Sequence, residues 1–307
     1  SQEKMEDCLK DGIALVAIAV PPDFARSIKL NKSSEYLVQI NADNLLFANT
    51  VISTSNEIMQ TFSAGVGQRL VEAINQVPSQ AIRTVVPVKM GVRVINNPTL
   101  SYSNFVLPGL GGNALQLGLI LATCTVLTGV YRPASVWCSA SPAKIAVAKL
   151  IPYWLAGMLG FVAFIFVIVT FFYIPFNGDI GSLLLIGGAF TFAVVNVGGL
   201  VSAVAPNAVM AVQIPMLYIM PAFLFSGYSW PHLAMNSFSR IYSSVLPLTY
   251  SVDTFRDIML AGYAPSLWEN ASFLFGFGVS LWILTVIVLT LHRRRAVSAV
   301  SAREVGI

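Results

Sequence analysis

Five stretches of this chain, at residues 105–130, 151–175, 181–204, 208–228 and 271–291, contain no Asp, Glu, Lys or Arg. A helix needs about 20 mostly apolar residues to cross a bilayer, and each stretch qualifies. The composition agrees: 56% of residues are hydrophobic and 10% are charged, against about 25% charged in soluble domains. The sequence therefore predicts a mainly α-helical, polytopic integral membrane protein. Pro215 and Pro221 lie inside the fourth stretch and predict a kink there.

The charges that exist are unevenly placed. Residues 1–104 hold 9 of the 18 Lys and Arg and 9 of the 14 Asp and Glu. This segment reads as a small α/β domain of soluble character, ahead of a transmembrane domain at 105–295 and a tail at 296–307. A net charge of +4 is too small to indicate a nucleic-acid partner. Cys8, Cys124 and Cys138 fall in three different settings, and the two histidines, His232 and His292, stand apart. Neither a disulfide framework nor a metal site is expected from such spacing.

Basic residues orient the spans. "HRRR" at 292–295 follows the last span and places the C-terminus in the cytoplasm. Counting back, loop 131–150 is cytoplasmic too, and it carries Arg132, Lys144 and Lys149 with no acid. "PFNGD" at 175–179, the long segment 229–268 and residues 1–104 then face outward. A soluble domain carried across the membrane requires a preceding span, so a further helix upstream of residue 1, six in all, is expected.

Within residues 1–104, "GIALVAIAV" (12–20) has the pattern of a buried strand. "PPDFARSIK" (21–29) opens a helix, with Pro and Asp at its start. "EYLVQI" (35–40) predicts a second strand, 44–76 a long helix and "VVPVKMGVRVI" (85–95) a last strand. No phosphate-binding loop occurs. "GLGGNA" (109–114) opens a spanning helix rather than following a strand, so it reads as a close-packing surface.

Asn113, Gln116, Asn196 and Gln213 are amides at membrane depth. Each must face protein or water, either lining a route through the membrane or joining helices. Gly pairs at 187–188 and 198–199 share a helix face and predict a tight packing or dimer seam. "RPASVWCSASPAKIAVAK" (132–149) reads either as an interfacial segment or as a docking surface. "LPLTYSVDTFRDIML" (246–260) reads as an amphipathic helix lying flat at the outer face, with Asp253 and Arg256 forming a surface pair, or as a re-entrant cap. Neither a nucleophile–base pair nor a P-loop is present in the sequence, so no enzymatic activity is expected of this chain.

"PPDF" (21–24), "NNPTLSYSNFVLPG" (96–109), "SPAKIAVAK" (141–149), "FSGYSWP" (225–231), "LPLTY" (246–250), Arg256 and "LAG" (260–262) resemble, in order, the permease subunit of ABC-2 type exporters. The likeness is to the drug-efflux subgroup with a large extracytoplasmic domain, and it covers nearly the whole chain. It implies a multi-pass permease of the inner membrane that exports amphipathic or hydrophobic compounds as a dimer, in contact with membrane lipid. ATP and Mg would be bound by separate cytoplasmic ATPase subunits docked near Arg132, Trp137, Ser141, Pro142, Lys144 and Lys149. A translocation pathway would involve Asn113, Gln116, Asn196, Gln213, Met216, Met220 and Phe223. An outer gate would involve Ser226, Gly227, Pro231, Pro247, Tyr250, Asp253 and Arg256. A periplasmic adaptor and an outer-membrane channel accompany some members. The loop "VYRPASVWCSASP" (130–142) lacks the family's usual basic, Glu-bearing run ending in Gly-Thr, which allows a heterodimer whose other permease carries that run. Export of a lipid or glycan intermediate, or a non-transporting scaffold or sensor, fits the same spans.

Overall fold

A computed structural model describes residues 2–10, 13–29, 34–42, 45–74, 88–95, 97, 100–131, 140–230 and 232–304. Arg132, Trp137, Cys138 and Pro231, and residues 85–87 of the last predicted strand, lie outside the described residues. The chain divides into two compact units, Ser1–Phe105 and Val106–Ile307.

The first unit contains helix α1 (Gln2–Lys10), strand β1 (Val16–Ala19), helix α2 (Phe24–Lys29), strand β2 (Ser34–Asn41), helix α3 (Leu45–Ile74) and strand β3 (Val88–Ile95). Among the described residues these strands form one sheet in the order β1-β2-β3. β1 runs antiparallel to β2, with Ile18 opposite Val38, and β2 runs parallel to β3, with Val38 opposite Val92. Parallel neighbours need a crossover, and α3 lies within it. Tyr36, Val38 and Ile40 alternate along β2 and bury one face against Ala48, Val51, Ile52 and Met59 of α3. The expectation of a buried strand at 12–20 needs correcting. The strand is only Val16–Ala19 and lies at the sheet edge, where Ile18 is 59% exposed. An edge strand has a neighbour on one side only, so its apolar residues are not enclosed as those of β2 are.

The second unit is built from helices α4 (Tyr102–Thr123), α5 (Pro142–Thr170), α6 (Ile180–Val204), α7 (Ala208–Ile219), α8 (Ala222–Phe225), α9 (Ser237–Ser244), α10 (Pro247–Ala261) and α11 (Leu267–Glu304). Among the described residues, five segments are long and apolar enough to cross a membrane: α4, α5, α6, α7 with α8, and α11 as far as Arg295. α6 is the most deeply buried of them and packs against α5, α7, α10 and α11. Its glycine pairs set that packing. A Cβ on Gly187 would lie 2.3 Å from Phe161, and one on Gly198 1.8 Å from the Thr123 hydroxyl. Both pairs thus face neighbours of the same chain, which makes them a packing seam within the bundle.

Three further features refine the expectations. The second span begins at Pro142, not near 151, because Ser141 caps the helix through the Lys144 N–H at 3.4 Å and Pro142 occupies its first turn. Nine residues expected in a loop are therefore helical. In the fourth span the expected break falls at Met220–Pro221, before the single turn of α8, whereas α7 runs unbroken through Pro215. The third concerns α10, which is not half wet, since its buried residues include Leu248, Ser251, Val252, Thr254, Phe255, Arg256 and Met259. Ser251 and Thr254 donate to carbonyls one turn back, at 3.1 Å each, so they enter the interior with their hydroxyls satisfied.

Asp179 caps α6, accepting from the Ser182 N–H at 2.7 Å and the Ser182 hydroxyl at 3.1 Å. These bonds, the backbone one first, hold its carboxyl below the usual carboxylate range. A depressed folded value stabilises the protein above the unfolded carboxyl's ordinary value of about 4, and that contribution fades as pH falls through the lower folded value. Asp179→Ala is therefore expected to lower the thermal midpoint at neutral pH and to have a shrinking effect below about pH 4. Paired melts of the two proteins across that range check it.

Candidate functional site

Three polar groupings interrupt the apolar bundle. The first sits where α4 ends and α5 begins. After Thr123 the chain continues in tight turns to Tyr131. The Leu127 N–H donates to the Ser202 hydroxyl at 2.6 Å, and the Thr128 hydroxyl donates to the Ser202 carbonyl at 3.0 Å. From α5, the Lys149 ammonium donates to the Val126 carbonyl at 2.8 Å. Of the residues expected to dock an ATPase, Ser141 and Pro142 start α5, Lys144 is exposed on its first turn and Lys149 is turned onto the preceding chain. Ser202, the hub of these bonds, carries no signal in sequence, being one serine in an apolar span.

The second grouping is the set of membrane-depth amides. Gln116 is 0% exposed, and neither its oxygen nor its nitrogen has a hydrogen-bond partner. Asn196 is 1% exposed; its nitrogen donates to the Phe192 carbonyl at 2.8 Å while its oxygen is unpartnered. Asn196 lines a cleft of about 160 Å³ whose walls include Trp154, Phe192 and Trp282. Asn113 is half-buried with an unpartnered oxygen, one turn from Gln116 on α4. Gln213 is different: it is exposed on α7, among exposed Val209, Met210, Val212, Ile214 and Leu217. No hydrogen bond joins any two of the four. Met216 and Phe223 are half-buried and Met220 is exposed, on the same segment as Gln213.

The third grouping surrounds Arg256, which is 5% exposed. Its guanidinium pairs with Asp253 and Asp257 at 3.1 Å each, so the expected surface pair is a buried-arginine cluster. It also lies over the Tyr228 ring, 5.1 Å from the centroid, and hydrogen-bonds that side chain. Tyr228 is reached because Gly227 adopts φ +89°, a conformation that favours glycine. Beside this cluster, Phe255 packs into Phe161 and Phe190 at centroid distances of 5.1 and 5.6 Å. Ser226 donates to the Phe223 carbonyl at 3.0 Å, Pro247 opens α10, and Tyr250 stacks on Phe273 at 4.0 Å. Ser226, Gly227, Asp253 and Arg256 thus share one neighbourhood, with Tyr228 and Asp257 completing it. A buried guanidinium facing two carboxylates is costly to strip of its partners and suits a fixed brace or a latch. Among the described residues, no group of His, Cys, Asp and Glu is arranged to hold a metal ion.

Comparison with known proteins bears on these groupings. The profile of a family described as ABC-2 family transporter protein matches residues 1–287. YbhS of Escherichia coli strain K12, named a probable multidrug ABC transporter permease, is 27% identical over 195 residues, covering 62% of this chain and 52% of that protein. The chain thus aligns with about half the length of YbhS. YbhR of the same strain, which bears the same description, is 21% identical over 287 residues, covering 90% of this chain and 71% of that protein. The ABC transporter G family member 20 of Dictyostelium discoideum is 25% identical over 126 residues, covering 40% of this chain and 17% of its own. No solved structure matches. With the family profile spanning both units and all but the end of the last of five apolar helices, this multi-pass membrane protein belongs to the ABC-2 family of transporter proteins.

Proposed function

We propose that the chain is the membrane-spanning permease subunit of an ATP-binding cassette exporter that moves amphipathic or hydrophobic compounds out of the cytoplasm or the inner leaflet. The observation that carries this reading is the family match over residues 1–287 on a bundle of five spans. The names of the YbhS and YbhR relatives support the multidrug class of cargo. ATP and Mg belong to separate cytoplasmic ATPase subunits docked around residues 132–149. The arginines at 293–295 lie on that cytoplasmic side, the first unit lies outside, and the assembly sits in the inner membrane.

Gln213 supports a second permease copy beside α7. An amide exposed to hydrocarbon leaves its hydrogen bonds unmade, at a cost of several kcal/mol. A pathway between two copies removes that cost, and it places Gln213, Met216 and Met220 along the route with half-buried Asn113. The Arg256 cluster then acts as the outer gate. A periplasmic adaptor and an outer-membrane channel extend the route where the cell has two membranes.

The test is to purify the permease from native membranes and reconstitute it, with whatever ATPase accompanies it, in lipid vesicles. An ATPase subunit is expected to co-purify, and ATP is expected to drive movement of ethidium across the vesicle membrane. Recovery of no ATPase, together with ethidium that stays put, rejects exporter function. Movement of a fluorescent phospholipid in place of ethidium assigns lipid export instead.

A further inference from the structure

Two sets of hydrogen bonds sit at opposite ends of α6. At its C-terminal end, Ser202 is fully buried and accepts from the Leu127 N–H at 2.6 Å, while its carbonyl accepts from the Thr128 hydroxyl at 3.0 Å. Residues 123–131, which lead directly into 132–149, are therefore fastened to the last turn of this helix. Lys149 fastens the same turns to α5 at 2.8 Å. At the other end, Asn177 lies three residues before α6 begins. Its N–H donates to the Met259 carbonyl and its side-chain nitrogen to the Leu260 carbonyl, both at 2.9 Å. These belong to the last turn of α10, whose carbonyls have no partner within their own helix. Gly178 sits so close that an added Cβ would lie 2.2 Å from the Ile258 carbonyl oxygen.

Between the two ends, α6 has 25 residues, no proline, and neighbours packed into its glycine notches. At 1.5 Å per residue it spans about 37 Å. We infer that α6 is a transmission rod, with Ser202 positioning the turns that lead to 132–149 at one end and Asn177 joining the rod to α10 at the other. This rests on the reading that an ATPase engages residues 132–149. A displacement there reaches Ser202 through the backbone of residues 126–131 and arrives, through the short non-helical link 177–179 that Gly178 packs against Ile258, at the helix that carries Arg256. A rod held by hydrogen bonds at both ends gives a physical route for such coupling, and severing either end must uncouple the other.

The full permease with its ATPase, in lipid vesicles and with ethidium as the probe, tests this. Ser202→Ala removes the acceptor for the Leu127 N–H, and Ser202→Thr keeps it. With S202A, assembly and basal ATP hydrolysis are expected to stay within about twofold, and ethidium-stimulated hydrolysis to fall at least about fivefold. S202T is expected to restore stimulation. Asn177→Ala should reproduce the loss, and the double variant S202A/N177A should be no worse than either single one. Unchanged stimulation in S202A, or losses that multiply in the double variant, overturns the inference. If S202A does not assemble, N177A decides alone, and unchanged stimulation there overturns it. A wild-type permease that recruits no ATPase rejects the exporter reading, and the rod is then judged by amide hydrogen exchange on the full permease. S202A must quicken exchange at Asn177, at the far end of α6, and unchanged exchange there overturns the rod.

Discussion

Replacing Arg256 with Met is expected to destabilise the permease by about 1–3 kcal/mol, less than the loss of one partner from a fully buried pair, because the Asp253 and Asp257 side chains keep 40% and 21% of their exposure. The guanidinium is 5% exposed and faces Asp253 and Asp257 at 3.1 Å each, so its loss leaves two carboxylates repelling one another. The triple variant R256M/D253N/D257N should recover most of the loss, because no uncompensated charge remains. R256K should fall between, since an ammonium keeps the charge but cannot address both carboxylates with a fork or stack on Tyr228. Unfolding midpoints of the four proteins in one detergent check this order. A midpoint for R256M within about 0.5 kcal/mol of wild type would show that the cluster is solvated, as a surface pair would be.

Gly178→Ala should cost about 3 kcal/mol, the upper part of the overpacking range. The new methyl would lie 2.2 Å from the Ile258 carbonyl oxygen and 2.7 Å from its Cγ2. A carbonyl in a helix cannot rotate aside as a side chain tip can, so either α10 or the 175–179 segment must shift. That shift breaks the two bonds from Asn177 as well. Gly118 and Gly276 supply the control, since a Cβ at either meets nothing within 4 Å. Alanine there, inside a helix and unobstructed, should be neutral or stabilising by up to about 1 kcal/mol. Equal effects at all three glycines would contradict the packing described here.

The spans were legible because a bilayer imposes a length and an absence of charge that single residues report directly. Helix α3 and the strand at Ser34–Asn41 were legible for the same kind of reason, apolar periodicity. The start of α5 is obscured in the sequence because Arg132, Lys144 and Lys149 mark 132–149 as a cytoplasmic loop and outweigh the Ser-Pro capping signal at 141–142. The burial of α10 was hidden by its charges. Asp253, Arg256 and Asp257 look water-facing along one helix, and only the fold brings Tyr228 over the guanidinium. The Ser202–Leu127 bond joins residues 75 apart, and no local pattern encodes such a pairing. Gln116 and Asn196 were singled out for their polarity in apolar runs, and both are enclosed by the protein. Nothing in composition distinguished them from Gln213, which points away from it.

Helix α5 runs without interruption from Pro142 to Thr170, 29 residues. At 1.5 Å per residue that is about 43 Å, against an apolar slab of about 30 Å. Some part of it must stand proud of the slab, and its first turns, with Lys144 and Lys149, are the only charged ones. Pro152, inside the helix, deletes one backbone bond about 15 Å from the tip. A pivot of about 20° at that weak point carries Ser141 sideways by about 5 Å. Because Ile145, Ala146 and Leu150 are buried and Lys149 holds the Val126 carbonyl, such a pivot would carry the turns before α5 along with its tip.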